Sequence, residues 1–284
     1  MKGGIETRDS FLSFGGRVSF HTHPSAETGT PMRFGLYLPP QAEQGKVPAL
    51  YYLAGLTCTE ETFLIKAGAV RLAARFGLAL VAPDTSPRGL DLPGIRESWD
   101  FGEAAGFYLD ATAEPWKTNF RMYSYVSREL PKLIEANFPI TSGRRGIFGH
   151  SMGGHGALTI ALKQPDRWNS LSAFAPISNP VAVPWGEKAF SNFLGPDRSA
   201  WPEYDASLLM RKKPYPRPIL VDQGEADKFL EPQLHPDALE RAAQESGQKL
   251  TLRRHQGYDH SYWFIQSVME DHMTWHAERL VSDR

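Results

Sequence analysis

The chain has 284 residues, a formal net charge of −1 and a sequence pI of about 6.8. This balance argues against nucleic acid as a partner, because domains that bind nucleic acid carry a basic stripe. No apolar run approaches the roughly 18 residues of a membrane-spanning helix, so no membrane partner is expected. The first ten residues also lack the apolar stretch of a signal peptide, and we expect a cytoplasmic protein.

Apolar periodicity predicts strands and helices that alternate along the chain. The predicted strands lie at 17–21, 33–38, 49–53, 78–82, 145–148, 171–175, 219–222 and 250–254. The predicted helices lie at 69–76, 123–138, 154–162, 236–245 and 262–280. Such alternation indicates an α/β fold, with a mostly parallel sheet covered by helices on both faces. We expect a single domain over 1–284, with loop insertions near 83–117 and 177–218 that wall the functional edge of the sheet.

The segment 149–153 reads G-H-S-M-G and matches the nucleophile-elbow pattern G-x-S-x-G. It stands between the predicted strand at 145–148 and the predicted helix at 154–162, which is the context that such an elbow requires. Its glycines allow neighbouring backbone to approach closely. We therefore predict Ser151 as a catalytic nucleophile, with His150 packing beside it or orienting it. The alternative is a turn that only links a strand to a helix.

A serine nucleophile needs a base and a carboxylate, which follow this kind of elbow in the order Asp or Glu, then His. The predicted strand at 219–222 runs into a turn that carries Glu225 and Asp227. A carboxylate just past a strand's carboxyl end lies where ligands bind in open α/β sheets. We predict Asp227 for this role, with Glu225 as the weaker alternative. Asp222 lies inside the strand and is expected to be structural.

The catalytic base is sought among nine histidines. His260 lies in a polar, glycine-containing loop between a predicted strand and the last predicted helix, and such a loop can place an imidazole over the serine. His272 and His276 are spaced i, i+4, but they lack the glutamate of an H-E-x-x-H metal site, so we expect packed or solvated side chains. His21 and His23 are expected at the surface. We predict His260 as the base and no metal site.

Two backbone amides are predicted to form an oxyanion hole. The first is the N–H of Met152, which follows the nucleophile at a helix N-terminus. The second should come from the loop 54–59, after the predicted strand at 49–53. Leu56 is the candidate in that loop, with Thr57 second. The alternative is an ordinary loop between a strand and a helix.

Longer segments of the chain resemble the S-formylglutathione hydrolases, the esterase D family. The similar segments are 53–60, 99–102, 105–111, 149–158, 179–180, 184–186, 188–190 and 258–262, and the resemblance spans nearly the full length. The family's serine, aspartate and histidine correspond to Ser151, Asp227 and His260. Its oxyanion positions correspond to Leu56 and Met152. These are the residues predicted above from their positions.

The resemblance implies an α/β-hydrolase fold and a reaction. The thioester S-formylglutathione would be hydrolysed to glutathione and formate through an acyl-enzyme, without a metal or organic cofactor, as in formaldehyde detoxification. A homodimer is also implied. The alternatives are a general short-chain carboxylesterase or an acyltransferase with the same triad, because a fold alone does not fix the reaction. A non-enzymatic binding protein on this fold would not need the complete set of candidate catalytic residues.

The formyl group is the smallest acyl group, so its pocket should be tightly walled. Trp99, Phe107, Tyr108 and Trp185 lie in segments that resemble the family's pocket loops, and the alternative for each is a core aromatic. Cys58 is the only cysteine, so an intrachain disulfide is excluded. The resemblance suggests that oxidation or alkylation of Cys58 blocks the site, and the alternative is a small buried residue. Glutathione's two carboxylates imply a basic contact that the sequence does not identify.

Overall fold

A computed structural model describes residues 4–281, so both ends of the expected domain, 1 and 284, lie outside the described residues. Within this range nine strands form one sheet, in the order β1-β2-β3-β5-β4-β6-β7-β8-β9. The strands are β1 (Glu6–Ser13), β2 (Gly16–Pro24), β3 (Pro31–Leu38), β4 (Val47–Leu53), β5 (Ala79–Pro83), β6 (Ile140–His150), β7 (Ser170–Phe174), β8 (Ile219–Gly224) and β9 (Leu250–His255). β1, β2, β3 and β5 pair antiparallel, whereas all pairings from β5 through β4 to β9 are parallel.

Helices connect the strands and cover the sheet. They are α1 (Thr62–Lys66), α2 (Ala69–Phe76), α3 (Met122–Ser124), α4 (Leu130–Asn137), α5 (Met152–Lys163), α6 (Pro184–Phe193), α7 (Ala206–Lys212), α8 (Pro236–Ser246) and α9 (Tyr262–Leu280). A π-helical turn at Tyr125–Glu129 joins α3 to α4. No helix within the described residues is both long and apolar enough to cross a bilayer.

The central strand β4 is buried along its whole length and packs on both faces. Tyr52 stacks on Phe63 of α1, with ring centroids 3.7 Å apart, whereas its neighbour Tyr51 contacts Trp168 at 5.5 Å. Successive side chains of a strand point to opposite faces, so both faces of the sheet are covered, as in other parallel sheets. This architecture is the α/β-hydrolase fold, and the predicted fold class is confirmed.

The predicted elements agree with the structure where periodicity is strong. The bounds predicted for α2 and α9 are those observed. The edge strand β1 was not predicted, because it is largely exposed and shows no alternation of buried and exposed residues. The segment 177–218, which we expected as a loop insertion, contains the helices α6 and α7.

His21 and His23, which we expected at the surface, are buried in β2. His21 Nε2 lies 2.8 Å from the Ser19 hydroxyl, and His23 Nε2 lies 3.0 Å from the Tyr125 hydroxyl. Burial lowers the pKa of His21 to about 4 and also lowers that of His23. Both rings therefore serve as neutral, hydrogen-bonded parts of the core at neutral pH.

Asp222 forms a buried ionic cluster below the functional edge of the sheet. Its carboxylate is inaccessible to solvent, pairs with the Arg253 guanidinium and lies 3.1 Å from His272 Nε2. Burial alone would raise the pKa of Asp222, but the hydrogen bonds from His272 and Arg253 outweigh it and hold the pKa well below its ordinary value. The cluster ties β8 to β9 and α9, which agrees with the structural role expected for Asp222.

We expect Asp222→Asn to lower the free energy of unfolding by about 3 kcal/mol, because it leaves Arg253 without its buried partner. A depressed carboxyl pKa stabilises the fold above the ordinary Asp pKa, and this contribution is lost as the pH falls through the folded-state value. Urea unfolding at pH 7 and at pH 3 measures both effects. The difference in the free energy of unfolding between variant and wild type should be smaller at pH 3. A difference in the free energy of unfolding that does not change with pH would contradict the stabilising role of the ionised Asp222 carboxylate.

Candidate active site

Ser151 lies at the junction between β6 and α5, at the carboxyl edge of the sheet. Its backbone has φ 58° and ψ −118°, a conformation that costs a non-glycine residue about 1–3 kcal/mol and persists where the surroundings enforce it. The Ser151 amide donates to the Phe174 carbonyl at 3.0 Å, and its own carbonyl accepts from the His155 amide at 3.0 Å. The turn is therefore held from both sides, with the predicted nucleophile at its tip.

The glycines of the elbow are required by close backbone contacts. A Cβ on Gly153 would lie 1.9 Å from the Leu53 carbonyl oxygen, and one on Gly149 would lie 2.3 Å from the Gly153 carbonyl oxygen. The atoms that such a Cβ would meet belong to the backbone, so no side-chain rotation could relieve the clash. Without these Cβ atoms, α5 lies directly against the end of β4.

We expect Gly153→Ala to lower the free energy of unfolding by about 3 kcal/mol, at the upper end of typical overpacking costs, and to displace the elbow. Any activity that depends on Ser151 should fall with it. Chemical denaturation and an assay of that activity measure the two effects. Gly45→Ala is the matched control, because a Cβ on Gly45 would have no atom within 4 Å. Wild-type stability in Gly153→Ala would contradict this explanation of the motif.

His260 and Asp227, the predicted base and carboxylate, are hydrogen-bonded to each other. His260 Nδ1 lies 2.5 Å from Asp227 Oδ2. Asp227 is 5% exposed, and its carboxylate also accepts from the Phe229 amide at 2.8 Å and from Gln223 Nε2 at 3.4 Å. A carboxylate held in this way keeps the proton of the imidazole on Nδ1, which leaves Nε2 as the acceptor.

The loops that carry these two side chains are bonded together. The Ala226 amide donates to the Tyr258 carbonyl at 2.9 Å, and the Glu225 amide donates to the His255 carbonyl at 3.0 Å. A Cβ on Gly224 would lie 2.4 Å from the same Tyr258 carbonyl oxygen, so the loops are in close contact. The ends of β8 and β9 thus set the position of the imidazole.

The loop with the predicted oxyanion amide lies against the elbow. A Cβ on Gly55 would lie 3.3 Å from Ser151 Cβ. The Thr57 amide donates to the Ala104 carbonyl at 3.1 Å and is therefore engaged. Leu56, the first candidate, and Met152 have amides without a hydrogen-bond partner among residues 4–281, as an oxyanion hole requires.

A cavity of about 210 Å³ opens at this edge of the sheet. Its lining includes the elbow, the 55–58 loop, the predicted base and four aromatic residues, Trp99, Trp185, Phe229 and Tyr262. Trp99 and Trp185 were predicted to line the pocket, and their rings meet edge to face at 5.7 Å. Phe229 and Tyr262 were not predicted, although each lies two residues after a predicted catalytic residue.

The prediction that Phe107 and Tyr108 line the pocket was wrong. Both side chains are fully buried, and neither is among the residues that line the cavity. The Tyr108 hydroxyl donates to the Ala54 carbonyl at 2.9 Å, and the Phe107 carbonyl accepts from His155 Nε2 at 3.1 Å. These residues therefore support the 54–59 loop and α5.

His150 packs against the predicted base, with 4.4 Å between the ring centroids of His150 and His260. Burial, reinforced by the nearby His260, holds the pKa of His150 well below its ordinary value. A neutral ring at this position fills space without adding a permanent positive charge beside the base. This agrees with the packing or orienting role predicted for His150.

Cys58 also lines the cavity. Burial raises the pKa of its thiol, against the opposing effect of hydrogen bonds with Thr62 and Tyr262. The thiolate is the reactive form of cysteine, so this environment disfavours reaction at neutral pH. Because Cys58 lies in the 54–59 loop that lines the cavity, any adduct formed on its thiol would enter the cavity.

Comparisons with known proteins identify the family. A family model described as "Putative esterase" matches residues 25–279. An S-formylglutathione hydrolase of Paracoccus denitrificans is 54% identical over 97% of this chain and 98% of its own length. One from Rattus norvegicus is 53% identical over 94% and 95%. The chain belongs to the S-formylglutathione hydrolase family.

A solved structure of an S-formylglutathione hydrolase from Agrobacterium tumefaciens superposes with a TM-score of 0.94, at 48% identity, over 96% of this chain and 99% of that one. A ferulic acid esterase structure with 19% identity and a TM-score of 0.70 shares the fold. Membership of the S-formylglutathione hydrolase family thus rests on sequence and structure over nearly the whole chain, and the family resemblance is confirmed.

Proposed function

We propose that the chain hydrolyses S-formylglutathione to glutathione and formate, with Ser151, His260 and Asp227 as its catalytic triad. Family membership supports the substrate. The observation that carries the chemistry is the arrangement in one cavity of a strained serine elbow and an imidazole hydrogen-bonded to a buried carboxylate. This arrangement provides nucleophilic catalysis with a general base.

In the acylation step His260 Nε2 takes the hydroxyl proton as Ser151 Oγ attacks the formyl carbon. Asp227 stabilises the imidazolium that forms. The developing oxyanion accepts hydrogen bonds from the Leu56 and Met152 amides, and the positive end of α5 adds to this stabilisation. The tetrahedral intermediate then collapses, the carbon–sulfur bond breaks, and the imidazolium returns its proton to the departing thiolate of glutathione.

In the second step water attacks the formyl ester on Ser151. His260 takes a proton from this water, and the same two amides hold the second oxyanion. Collapse breaks the bond to Oγ, which regains its proton from the imidazolium, and formic acid leaves and loses its own proton to solvent as formate. One imidazole moves the protons to and from Ser151 in both steps, so these transfers need no second general acid or base.

We propose further that the chain acts in the cytoplasm as a homodimer. The family resemblance supports the dimer, and the single cysteine suits a reducing compartment. Four exposed apolar side chains, on β1, just after it and on α1, line one surface groove and form a patch of the kind found at interfaces: Phe11, Leu12, Phe14 and Ile65. Sedimentation equilibrium measures the oligomeric state.

The hydrolase proposal is tested by following both products. Formate, measured with formate dehydrogenase, and free thiol, measured with Ellman's reagent, should appear in equal amounts from S-formylglutathione. Added methanol should leave this ratio unchanged. Formation of methyl formate at the expense of formate would instead show an acyltransferase, and no reaction with S-formylglutathione would refute the proposal.

A further inference from the structure

The segment around Trp99 is held by several contacts, although the residue itself is 56% exposed. An exposed indole adds little to the core, so the contacts that fix its backbone need another explanation. On either side of Trp99, the Ser98 hydroxyl and the Asp100 carboxylate are hydrogen-bonded to each other. Both also accept from Lys188 Nζ, at 2.7 Å and 2.5 Å respectively.

Lys188 lies on α6, one helical turn after Trp185, whose ring contacts Trp99. The helix packs closely against the backbone that precedes it, since a Cβ on Gly186 would lie 2.0 Å from the Pro180 carbonyl oxygen. A second connection joins Phe101 to Phe193, the last residue of α6, with 4.8 Å between ring centroids. One helix therefore fixes the segment around Trp99 at three points.

Ser98, Asp100 and Lys188 form a cluster in which the opposite charges of Asp100 and Lys188 are paired. The side chain of Asp100 is 15% exposed and that of Lys188 is 40% exposed. Burial would raise the pKa of Asp100, but the hydrogen bonds from Lys188 and Ser98 outweigh it and lower the pKa. Asp100 therefore stays ionised at neutral pH and keeps its bond to Lys188.

The position of Trp99 indicates which part of the substrate it meets. Both residues line the cavity, but Ser151 is 3% exposed whereas Trp99 is largely exposed, so we place Ser151 at the base of the cavity and Trp99 at its mouth. The formyl group is too small to extend from the serine to the mouth. The substrate atoms that reach Trp99 are therefore those of the leaving thiol.

We propose that Ser98, Asp100 and Lys188 are positioning residues that hold Trp99 as the wall against which the glutathionyl group binds. This inference rests on the proposed function and adds a determinant of leaving-group specificity to it. The cluster acts on substrate binding through Trp99 and takes no part in the chemistry at Ser151.

The test compares S-formylglutathione with ethyl formate, which carries the same acyl group on a leaving group too small to reach Trp99. In Lys188→Met we expect KM for S-formylglutathione to rise about tenfold with little change in kcat, because a misplaced binding wall can cost up to about 10²-fold. The kinetics with ethyl formate should be unchanged. Asp100→Asn should show the same selective effect and serves if Lys188→Met fails to fold.

A double-mutant cycle decides whether Lys188 acts through Trp99. Trp99→Ala should raise KM for S-formylglutathione, and adding Lys188→Met to it should have no further effect. Glu187→Gln is the matched control, since Glu187 neighbours Lys188 on α6 but pairs with exposed Arg198. Additive effects, or equal losses with both substrates, would overturn the inference. Failure of the wild type to prefer S-formylglutathione over ethyl formate would instead overturn the proposed function.

Discussion

Ser151→Ala is expected to lower kcat for S-formylglutathione by about 10⁶-fold, the loss typical of removing the nucleophile of a serine triad. The Ser151 hydroxyl oxygen is the only atom that the mechanism bonds to the acyl group. Formate release under saturating substrate measures the loss. Residual turnover should remain above the uncatalysed rate, because the oxyanion amides and the binding contacts are retained.

The control for this variant is Ser267→Ala, which removes an exposed hydroxyl bonded within α9 to the Trp263 carbonyl. It should retain wild-type kinetics. Circular dichroism and urea unfolding should show that Ser151→Ala remains folded. A folded Ser151→Ala protein with more than a small fraction of wild-type activity would eliminate Ser151 as the nucleophile.

Asp227→Asn is expected to lower kcat by about 10⁴-fold with a smaller effect on KM. An amide at this position can donate to His260 Nδ1, which moves the imidazole proton to Nε2 and removes the acceptor that Ser151 needs. It also removes the charge that stabilises the imidazolium. Steady-state kinetics with S-formylglutathione measure the change.

Asp259→Asn is the matched control, because Asp259 adjoins His260 but is exposed and bonds to Ser261. Its kcat should stay close to wild type. Asp222→Asn, in contrast, should lower stability more than it lowers kcat. If Asp259→Asn or Asp222→Asn instead caused the large kcat loss in a folded protein, the carboxylate would be wrongly assigned.

Much of the candidate active site could be predicted because its local sequence signals are strong. An elbow needs glycines around its serine, and the clashes that a Cβ would cause at Gly149 and Gly153 explain that pattern. The order of the residues along the chain, and their positions after the ends of strands, then favoured Asp227 as the carboxylate and His260 as the base. The structure brings these two residues into direct contact.

The aromatic residues that line the pocket could not be predicted in the same way, because the sequence does not show in which direction an aromatic side chain points. Phe107 and Tyr108 lie in pocket-like segments, yet their side chains are fully buried and do not line the cavity. Trp99 and Trp185, in similar segments, face the cavity. The difference is set by tertiary contacts such as the bond from the Tyr108 hydroxyl to the 54–59 loop.

The helices within 177–218 were missed for related reasons. α6 begins with Pro184 and contains Gly186, which together indicate a turn rather than a helix. Gly186 is needed there because the helix packs against a carbonyl oxygen. α7 did carry a usable signal, since Asp205 caps it by accepting from the Leu208 amide at 3.0 Å.

The most direct test of the account is kcat/KM of the wild type for S-formylglutathione, measured beside p-nitrophenyl acetate and repeated with Ser151→Ala. We predict a far higher value for the thioester, lost in the variant. Comparable or faster turnover of the aryl ester would contradict the account and indicate a broad esterase. The proposal that S-formylglutathione is the substrate would then be wrong.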